Sequence, residues 1–406
     1  MKRGLLYLYA VQGANYLFPL LTLPYLSRVL GPEGFGLLAV GQSLALYLQA
    51  VVDWGLSPLG VRRVVQAGGK RLGSIYWGVT GARLLLLLPA SLLALLAYLV
   101  LPALRGQEEV ALSALFWAAA WGLSPVWFFQ GLERMAEVAL LEILPRALAT
   151  LSIFLLVQES QPHMPLILQG SWALMALGFG SWRIFREIKE KPTFKATLLY
   201  LQWGLPFFLA RLGTLLYAGS GPLLLGFFTP PAQVGLYVGA ERLTRAVLAL
   251  LEPLNRAFFP RFVRLLEEDR KQAGKFATFL LWKVGGLALL GASLWALSAP
   301  LLLSLLLGPG YEGAVPLMRI LALLLPLVAL SNLLGLQWML ALGLDRPFNA
   351  IILGAGVLNL LLGSLFAFLF GAPGLAWAVV LAEASVTGGM LLYLGRRGLL
   401  PWEVAR

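Results

Sequence analysis

The sequence predicts an all-α protein that crosses a membrane many times, and its composition, its apolar runs and the placement of its charges support this fold class. Hydrophobic residues occupy 59% of the 406 positions and charged residues only 12%, whereas a soluble domain carries roughly 25% charged residues. One soluble core cannot bury so much apolar surface, so lipid is the natural surrounding of this chain.

Long apolar runs give the number of spans. A helix needs about 20 apolar residues to cross the bilayer core, and helices satisfy their own backbone polar groups there. Twelve such runs are present, at 4–30, 35–58, 75–101, 110–130, 135–157, 164–185, 198–226, 233–259, 277–304, 313–341, 347–370 and 374–395.

The basic residues predict the orientation of these spans. With a cytoplasmic N-terminus, the cytoplasmic segments and the inner ends of the spans hold 23 of the 31 Lys and Arg residues. The outer side holds only Arg28 and Arg105, and six more lie deeper within spans. This bias places both termini in the cytoplasm. We therefore expect a multi-pass protein of a bacterial or archaeal inner (cytoplasmic) membrane, in contact with membrane lipids. The net charge of +12 is then a consequence of topology, not a sign of nucleic-acid binding.

An internal repeat relates two stretches of the chain at an offset of 199 positions, aligning residues 31–64 with 230–263. Six spans separate the copies, so both have the same orientation. This predicts two parallel six-helix halves, 1–191 and 192–406, arranged as in a transporter around a central cavity. The aligned pairs include Pro32 with Pro231, Gly36 with Gly235, Asp53 with Glu252 and Arg62 with Arg261.

Polar stripes inside two equivalent spans predict what lines that cavity. Charges within spans are unfavourable in lipid and usually face a polar cavity. In the eighth span the stripe is formed by Glu241, Arg245, Glu252 and Arg256, with Arg242 beside it. In the second span the corresponding polar residues are Gln42, Gln49 and Asp53.

The cations predict the chemistry of the ligand. Guanidinium groups bind phosphate oxygens as a two-pronged fork, so a cavity lined by arginines suits a phosphate-bearing substrate. The substrate-binding candidates are Arg211, Arg242, Arg245 and Arg319. Internal pairing is the alternative, since Glu241 and Arg245 are spaced as i,i+4 neighbours, like Glu142 and Arg146.

Acidic and amide side chains of the same stripes are candidates for coupling or gating. Asp53 and Glu241 are candidate sites for a coupling H⁺ or Na⁺. Asp53 and Glu252 lie near the inner ends of their spans and are candidates for a cytoplasmic gate. Gln42, Gln49 and Arg83 complete this set of candidates.

Several activities are disfavoured by the sequence. The chain has no Cys and a single His, His163, so thiolate chemistry and His/Cys metal sites are not expected. It contains no Walker A sequence and no G-x-S-x-G sequence. We therefore expect a transporter that has neither a cofactor nor a metal, and not an enzyme.

Three local features leave alternatives open. Prolines in the first and seventh spans indicate either ordinary kinks or bending elements. The aromatic cluster between Trp117 and Phe129 is more typical of an interfacial belt than of a sugar-stacking surface. The charged segment Arg261–Phe276 is predicted to be an amphipathic helix at the cytoplasmic surface.

Short motifs in order along nearly the whole chain resemble those of O-antigen flippases. They are Tyr25–Gly36 at the first outer turn, Asp53–Gly55, Trp127–Arg134, Val234–Arg242 and Pro260–Arg261. Such proteins are lipid-linked oligosaccharide translocases of the polysaccharide transporter family, within the multidrug/oligosaccharidyl-lipid/polysaccharide exporter superfamily.

The resemblance implies a V-shaped exporter with a central cavity, together with a substrate and a mechanism. The substrate would be an undecaprenyl-pyrophosphate-linked oligosaccharide, moved to the outer leaflet by alternating access for surface polysaccharide biosynthesis. Other polysaccharide assembly proteins are possible partners. One rival function is a cation-coupled drug exporter of the same superfamily, which would favour an acidic cavity. A second rival, a membrane glycosyltransferase or polymerase, would place catalytic acids on a large outer loop, yet the outer loops here are short.

Overall fold

The computed structural model describes the backbone of residues 2–190 and 194–406, and the side chains of residues 7, 9–190, 197–216, 219–251 and 258–406. In this part of the chain every regular element is a helix, and the chain divides into two compact units, Met1–Gly235 and Leu236–Arg406. The predicted boundary between 191 and 192 lies outside the described residues, so the division into repeat-related halves stays a prediction, as does the V shape.

The first unit contains nine helices and the first turn of a tenth. They are α1 (Lys2–Asp53), α2 (Leu56–Ala67), α3 (Leu72–Val100), α4 (Glu108–Gly122), α5 (Val126–Gly131), α6 (Met135–Leu156), α7 (Met164–Phe185), α8 (Phe194–Ala218), α9 (Gly221–Phe228) and α10 (Pro231–Ala249).

The second unit contains the rest of α10 and six further helices. They are α11 (Glu252–Glu268), α12 (Arg270–Leu306), α13 (Val315–Ala322), α14 (Leu324–Asn332), α15 (Asp345–Arg396) and α16 (Pro401–Val404). A π-helical segment, Leu333–Met339, continues α14.

The two longest helices each contain a break at a glycine. Gly31 in α1 has φ 62° and Gly371 in α15 has φ 64°, a region that L side chains rarely adopt and glycine adopts readily. Prolines follow at positions 32 and 373, where a new helix begins easily because their nitrogens have no hydrogen to leave unbonded. Each break lies between two of the predicted spans.

The apolar helices agree with a polytopic membrane fold. Seven helical stretches of the described chain are long and apolar enough to cross a membrane, or eight if a bent pair counts as one span. Two of the seven have 59 and 60 residues, enough for two crossings each. Twelve spans are consistent with this architecture, but the helices alone do not establish that number.

The prolines of the first and seventh spans have different consequences. In α1 the backbone remains helical at Pro19 and Pro24, and only Gly31 departs from helical geometry. The seventh span instead bends by 62° between Thr197–Leu216 and Gly221–Phe228. The bend coincides with a Gly-Ser-Gly-Pro sequence at 219–222, whose glycines and proline interrupt the helix more effectively than one proline inside an apolar run.

The core of the first unit corrects the prediction for the aromatic cluster. Trp127, Phe128 and Phe129 are almost completely buried and belong to the apolar core, so the interfacial interpretation is wrong for them. A turn at Ser124–Pro125 separates α4 from the short helix α5 and directs these rings inward.

The predicted amphipathic segment has one buried face. Phe262 is fully buried in the core of the second unit and packs edge-on against Trp338, with ring centroids 6.2 Å apart. Arg261 and Arg264 on the same helix are exposed. The segment is not one helix, because α11 ends at Glu268 and α12 begins at Arg270 with Asp269 as its N-cap.

Candidate functional site

A buried ion pair joins two of the gate candidates in the first unit. Asp53 ends α1, and its carboxylate accepts a 2.5 Å hydrogen bond from the guanidinium of Arg83 in α3. The side chains are only 9% and 1% exposed. The positive-φ turn at Trp54 and Gly55 ends α1 at this point, and Ser57, at the start of α2, also reaches the pair.

Arg83 is held by groups from four segments. Its guanidinium donates to Ser57 Oγ at 2.7 Å and to the Ser124 carbonyl oxygen at 2.9 Å. Its Cζ lies 5.8 Å from the centre of the Trp127 ring. The Asp-Trp-Gly motif and the aromatic motif therefore meet around one cation, Arg83, which the sequence named among the coupling or gating candidates.

The polar stripe of the second span lies beside the bend of the seventh. Ser43 Oγ donates to the Gly219 carbonyl oxygen at 2.7 Å, and Tyr47 Oη donates to the Leu215 carbonyl oxygen at 3.1 Å. The Leu215 carbonyl oxygen also accepts from the backbone N–H of Gly219 at 2.7 Å. The hydroxyl groups of α1 therefore add hydrogen bonds at a bend, where unpaired carbonyls would be unfavourable in lipid. Sequence reasoning selected the half-buried Gln42 and Gln49 of this stripe and missed Ser43 and Tyr47.

In the second unit, α10 carries the main group of predicted cavity residues. Arg245 donates to Glu241 Oε1 at 2.9 Å, so the i,i+4 pairing alternative is confirmed for these two residues. The arginine side chain is nevertheless 51% exposed, whereas Glu241 is 15% exposed. Arg242, the residue that follows Glu241 on the same helix, is half-buried.

The remaining candidates are spread over both units. Arg319 lies on α13 with an exposed side chain, and its Nε donates to the Ala296 carbonyl oxygen at 3.3 Å. The neighbouring Trp295 donates to Thr244 of α10 at 3.2 Å, so α10 and α13 both contact one turn of α12. Arg211 is exposed on α8 in the first unit. The side chain of Glu252 lies outside the described residues.

Other polar groups within the spans have identified partners. Glu142 and Arg146 form the predicted pair at 2.9 Å, with the guanidinium 4.3 Å from the Trp121 ring centre. Ser331 Oγ donates to a carboxylate oxygen of Glu383 at 2.6 Å. In the described part of the chain, no three His, Asp or Glu side chains are placed to hold a metal ion.

The sequence matches the family described as "Polysaccharide biosynthesis protein" over residues 1–266. A protein of Escherichia coli (strain K12) named "Putative O-antigen transporter" is 30% identical over 98% of both chains. A protein of Shigella dysenteriae with the same name is 26% identical over 96% of this chain and 99% of its own.

Among solved structures, the chain resembles the lipid II flippase MurJ in its inward closed conformation. The TM-score is 0.65 over 96% of this chain and 87% of that one, with 14% identity, a likeness of fold. The family match covers more than half of the sequence and the Escherichia coli relative spans its whole length. This polytopic α-helical membrane protein therefore belongs to the polysaccharide biosynthesis protein family.

Proposed function

We propose that this chain is a flippase that moves an undecaprenyl-pyrophosphate-linked oligosaccharide from the cytoplasmic to the outer leaflet for O-antigen or similar surface polysaccharide assembly. The observation that carries the proposal is the end-to-end similarity to relatives named as O-antigen transporters. The fold, which is like that of a lipid II flippase, supports it.

Binding of the pyrophosphate is assigned to the arginines of α10, together with Arg319 and Arg211. The Arg245 side chain is 51% exposed although it pairs with Glu241 on its own helix, so a phosphate can approach its guanidinium from the exposed side. Two guanidinium groups at neighbouring positions of α10 can each form a fork with phosphate oxygens. The glycan occupies the polar cavity while the polyprenyl chain remains in lipid.

Competition for Arg245 gives a route to ion coupling. In the structure Glu241 occupies the guanidinium. A bound pyrophosphate competes with that carboxylate, and a displaced Glu241 is then available to take up H⁺ or Na⁺. Alternating access is then driven by an ion gradient or by the membrane potential. With the site open to the outside, Glu241 takes up the ion, and the return of the transporter without substrate carries that ion inward down its gradient. Asp53 is less suited to ion uptake, since Arg83 and Ser57 already occupy its Oδ1.

The test is translocation in liposomes that carry an undecaprenyl-pyrophosphate oligosaccharide in one leaflet. We expect transport by the wild type and a loss of at least about tenfold in Arg242→Ala and Arg245→Ala, since one lost charged contact is worth that much. Arg264→Ala, an exposed arginine of α11, is the matched control and should transport normally.

Two outcomes would count against the proposal. If both α10 variants transport normally as folded proteins, the pyrophosphate binds elsewhere. If the wild type moves no glycan under any ion gradient yet lowers the susceptibility of cells to cationic drugs, the chain is a drug exporter.

A further inference from the structure

A basic pocket opens at one end of the first unit, well separated in sequence from the α10 arginines. It has a volume of about 700 Å³ and lies between the end of α2, the start of α3 and the first turns of α8. Arg63, Lys70 and Arg71 line it, together with Tyr200 and Trp203. None of the described residues that line it is acidic, so the pocket suits an anion.

The three cations are available to a ligand. Lys70 and Arg71 are exposed, and Arg63 lies over the Trp203 ring with its Cζ 4.2 Å from the ring centre. Within the described part of the chain, none of the three forms an ion pair. Glu190 is a nearby acid, but its carboxylate accepts from the backbone N–H groups of Gly73 and Lys189 instead.

The backbone of the α2–α3 turn fixes where these cations stand. Gly68 and Gly69 adopt left-handed conformations and Arg71 has φ 55°, so the turn is tight and α3 begins immediately after it. This turn brings Lys70 and Arg71 to the same opening as Arg63, which lies one helical turn before the end of α2. In the sequence alone, these three basic residues contribute only to the prediction of membrane orientation.

The surroundings of the pocket indicate a lipid and not a soluble anion. Leu199 and Trp203 form an exposed apolar wall on α8, at the beginning of an apolar span. Tryptophan is typical of the membrane–water interface. Basic pockets between membrane helices bind the phosphate groups of lipids, since cations hold the phosphate while the glycerol or acyl portion contacts apolar side chains.

We propose that this pocket binds the phosphate-bearing head group of a lipid at the membrane surface. Arg63 and Arg71 each offer a guanidinium fork to phosphate oxygens, and Lys70 adds a point charge. Both a polyprenyl pyrophosphate and an anionic phospholipid carry this chemistry. The site adds to the proposed function and does not depend on it, because it concerns binding at a separate place.

The experiment measures lipid binding to the purified full-length protein in neutral detergent. The probes are undecaprenyl pyrophosphate, phosphatidylglycerol, inorganic pyrophosphate and phosphatidylcholine. The test variant is Arg63→Gln/Lys70→Gln/Arg71→Gln. The matched control, Arg264→Gln/Lys271→Gln/Lys275→Gln, removes the same charge from exposed positions outside the pocket.

We expect the pocket variant to lose at least about tenfold in affinity for a phosphate-bearing lipid, whereas the control loses less than about twofold. Salt should weaken wild-type binding more than binding to the pocket variant. A selective loss for undecaprenyl pyrophosphate identifies the carrier lipid as the ligand. An equal loss for phosphatidylglycerol identifies a general phosphate head group.

Three results would overturn the proposal. Equal losses in the pocket variant and the control would assign the binding to overall positive charge. Binding of inorganic pyrophosphate as tight as that of the lipids would remove the lipid part of the proposal. Absence of wild-type binding to every phosphate lipid would overturn the whole proposal.

If the triple variant unfolds, the single change Arg71→Gln, at an exposed turn position, is measured in its place. We expect it to lose at least about threefold in affinity for the lipid. No loss of affinity would count against the site.

Discussion

At the scale of single residues, the pair formed by Asp53 and Arg83 is the most constrained polar contact of the first unit. Both side chains are withdrawn from solvent, one hydrogen bond joins them, and three more connect them with Ser57 and Ser124. Removing one partner of such a pair leaves an uncompensated buried charge, whereas replacing both with apolar groups is often neutral. The two kinds of change therefore separate a structural role from a functional one.

We predict that Asp53→Asn destabilises the protein by about 3–5 kcal/mol, because Arg83 keeps its charge and loses its counterion. Thermal unfolding in detergent measures the effect. Glu187→Gln is the control, since that carboxylate pairs with Arg134 at the surface with 39% of its side chain exposed, and such pairs contribute about 0–1 kcal/mol.

The double change Asp53→Leu/Arg83→Met should recover most of the stability lost in Asp53→Asn. Equal stability of Asp53→Asn and wild type would show that the pair is not desolvated. A stable double variant that no longer transports would support the gate or coupling role that the sequence suggested for these residues.

At the scale of helices, the repeat-related segments α1 and α10 contact one another through glycine. A Cβ on Gly36 would overlap the carbonyl oxygen of Pro231, and a Cβ on Gly235 would overlap that of Pro32. All four residues lie in the first unit. The contact is reciprocal between positions 199 apart, as a pseudo-two-fold relation between the two segments would produce.

We predict that Gly36→Ala destabilises the protein by about 1–3 kcal/mol, since the added methyl group forces two backbones apart. The control is Gly13→Ala on the same helix, where no atom lies within 4 Å of the added Cβ. There alanine should be neutral or slightly stabilising, because it forms helices more readily than glycine. Equal midpoints of thermal unfolding for the two variants would contradict the close contact.

The bend of the seventh span belongs to the same scale. Carbonyl oxygens at the bend accept hydrogen bonds from side chains of α1, so the bend and the polar stripe of α1 are parts of one arrangement. Trp54 adds a second attachment, donating to the Leu201 carbonyl oxygen at 3.0 Å and stacking on Phe208. These contacts explain why α8 packs with the first unit.

At the scale of the whole molecule, the distribution of basic residues predicts which loops lie on which side of the membrane. The chain has no cysteine, so a single introduced thiol gives no background in labelling experiments. We predict that Lys70→Cys reacts with a membrane-impermeant maleimide only from the cytoplasmic side and Arg105→Cys only from the outside. Labelling of both from one side would reject the orientation derived from the positive charges.

The sequence by itself determined the features that depend on local composition and spacing. Apolar length predicted where helices run, and the Gly31-Pro32 break followed from the backbone preferences of two adjacent residues. The i,i+4 pairs of α6 and α10 followed from helical geometry. The family resemblance rested on ordered short motifs, and the full-length relatives confirm it.

Only the tertiary structure decided which distant groups meet. Arg83 finds its counterion 30 positions away, and Tyr47 donates to a carbonyl 168 positions away. The basic pocket combines a turn near residue 70 with α8. Apolar helices can pack in many registers with similar hydropathy, so no local pattern selects these contacts. These contacts are selected by the packing of whole helices, in which buried polar groups need hydrogen-bond partners.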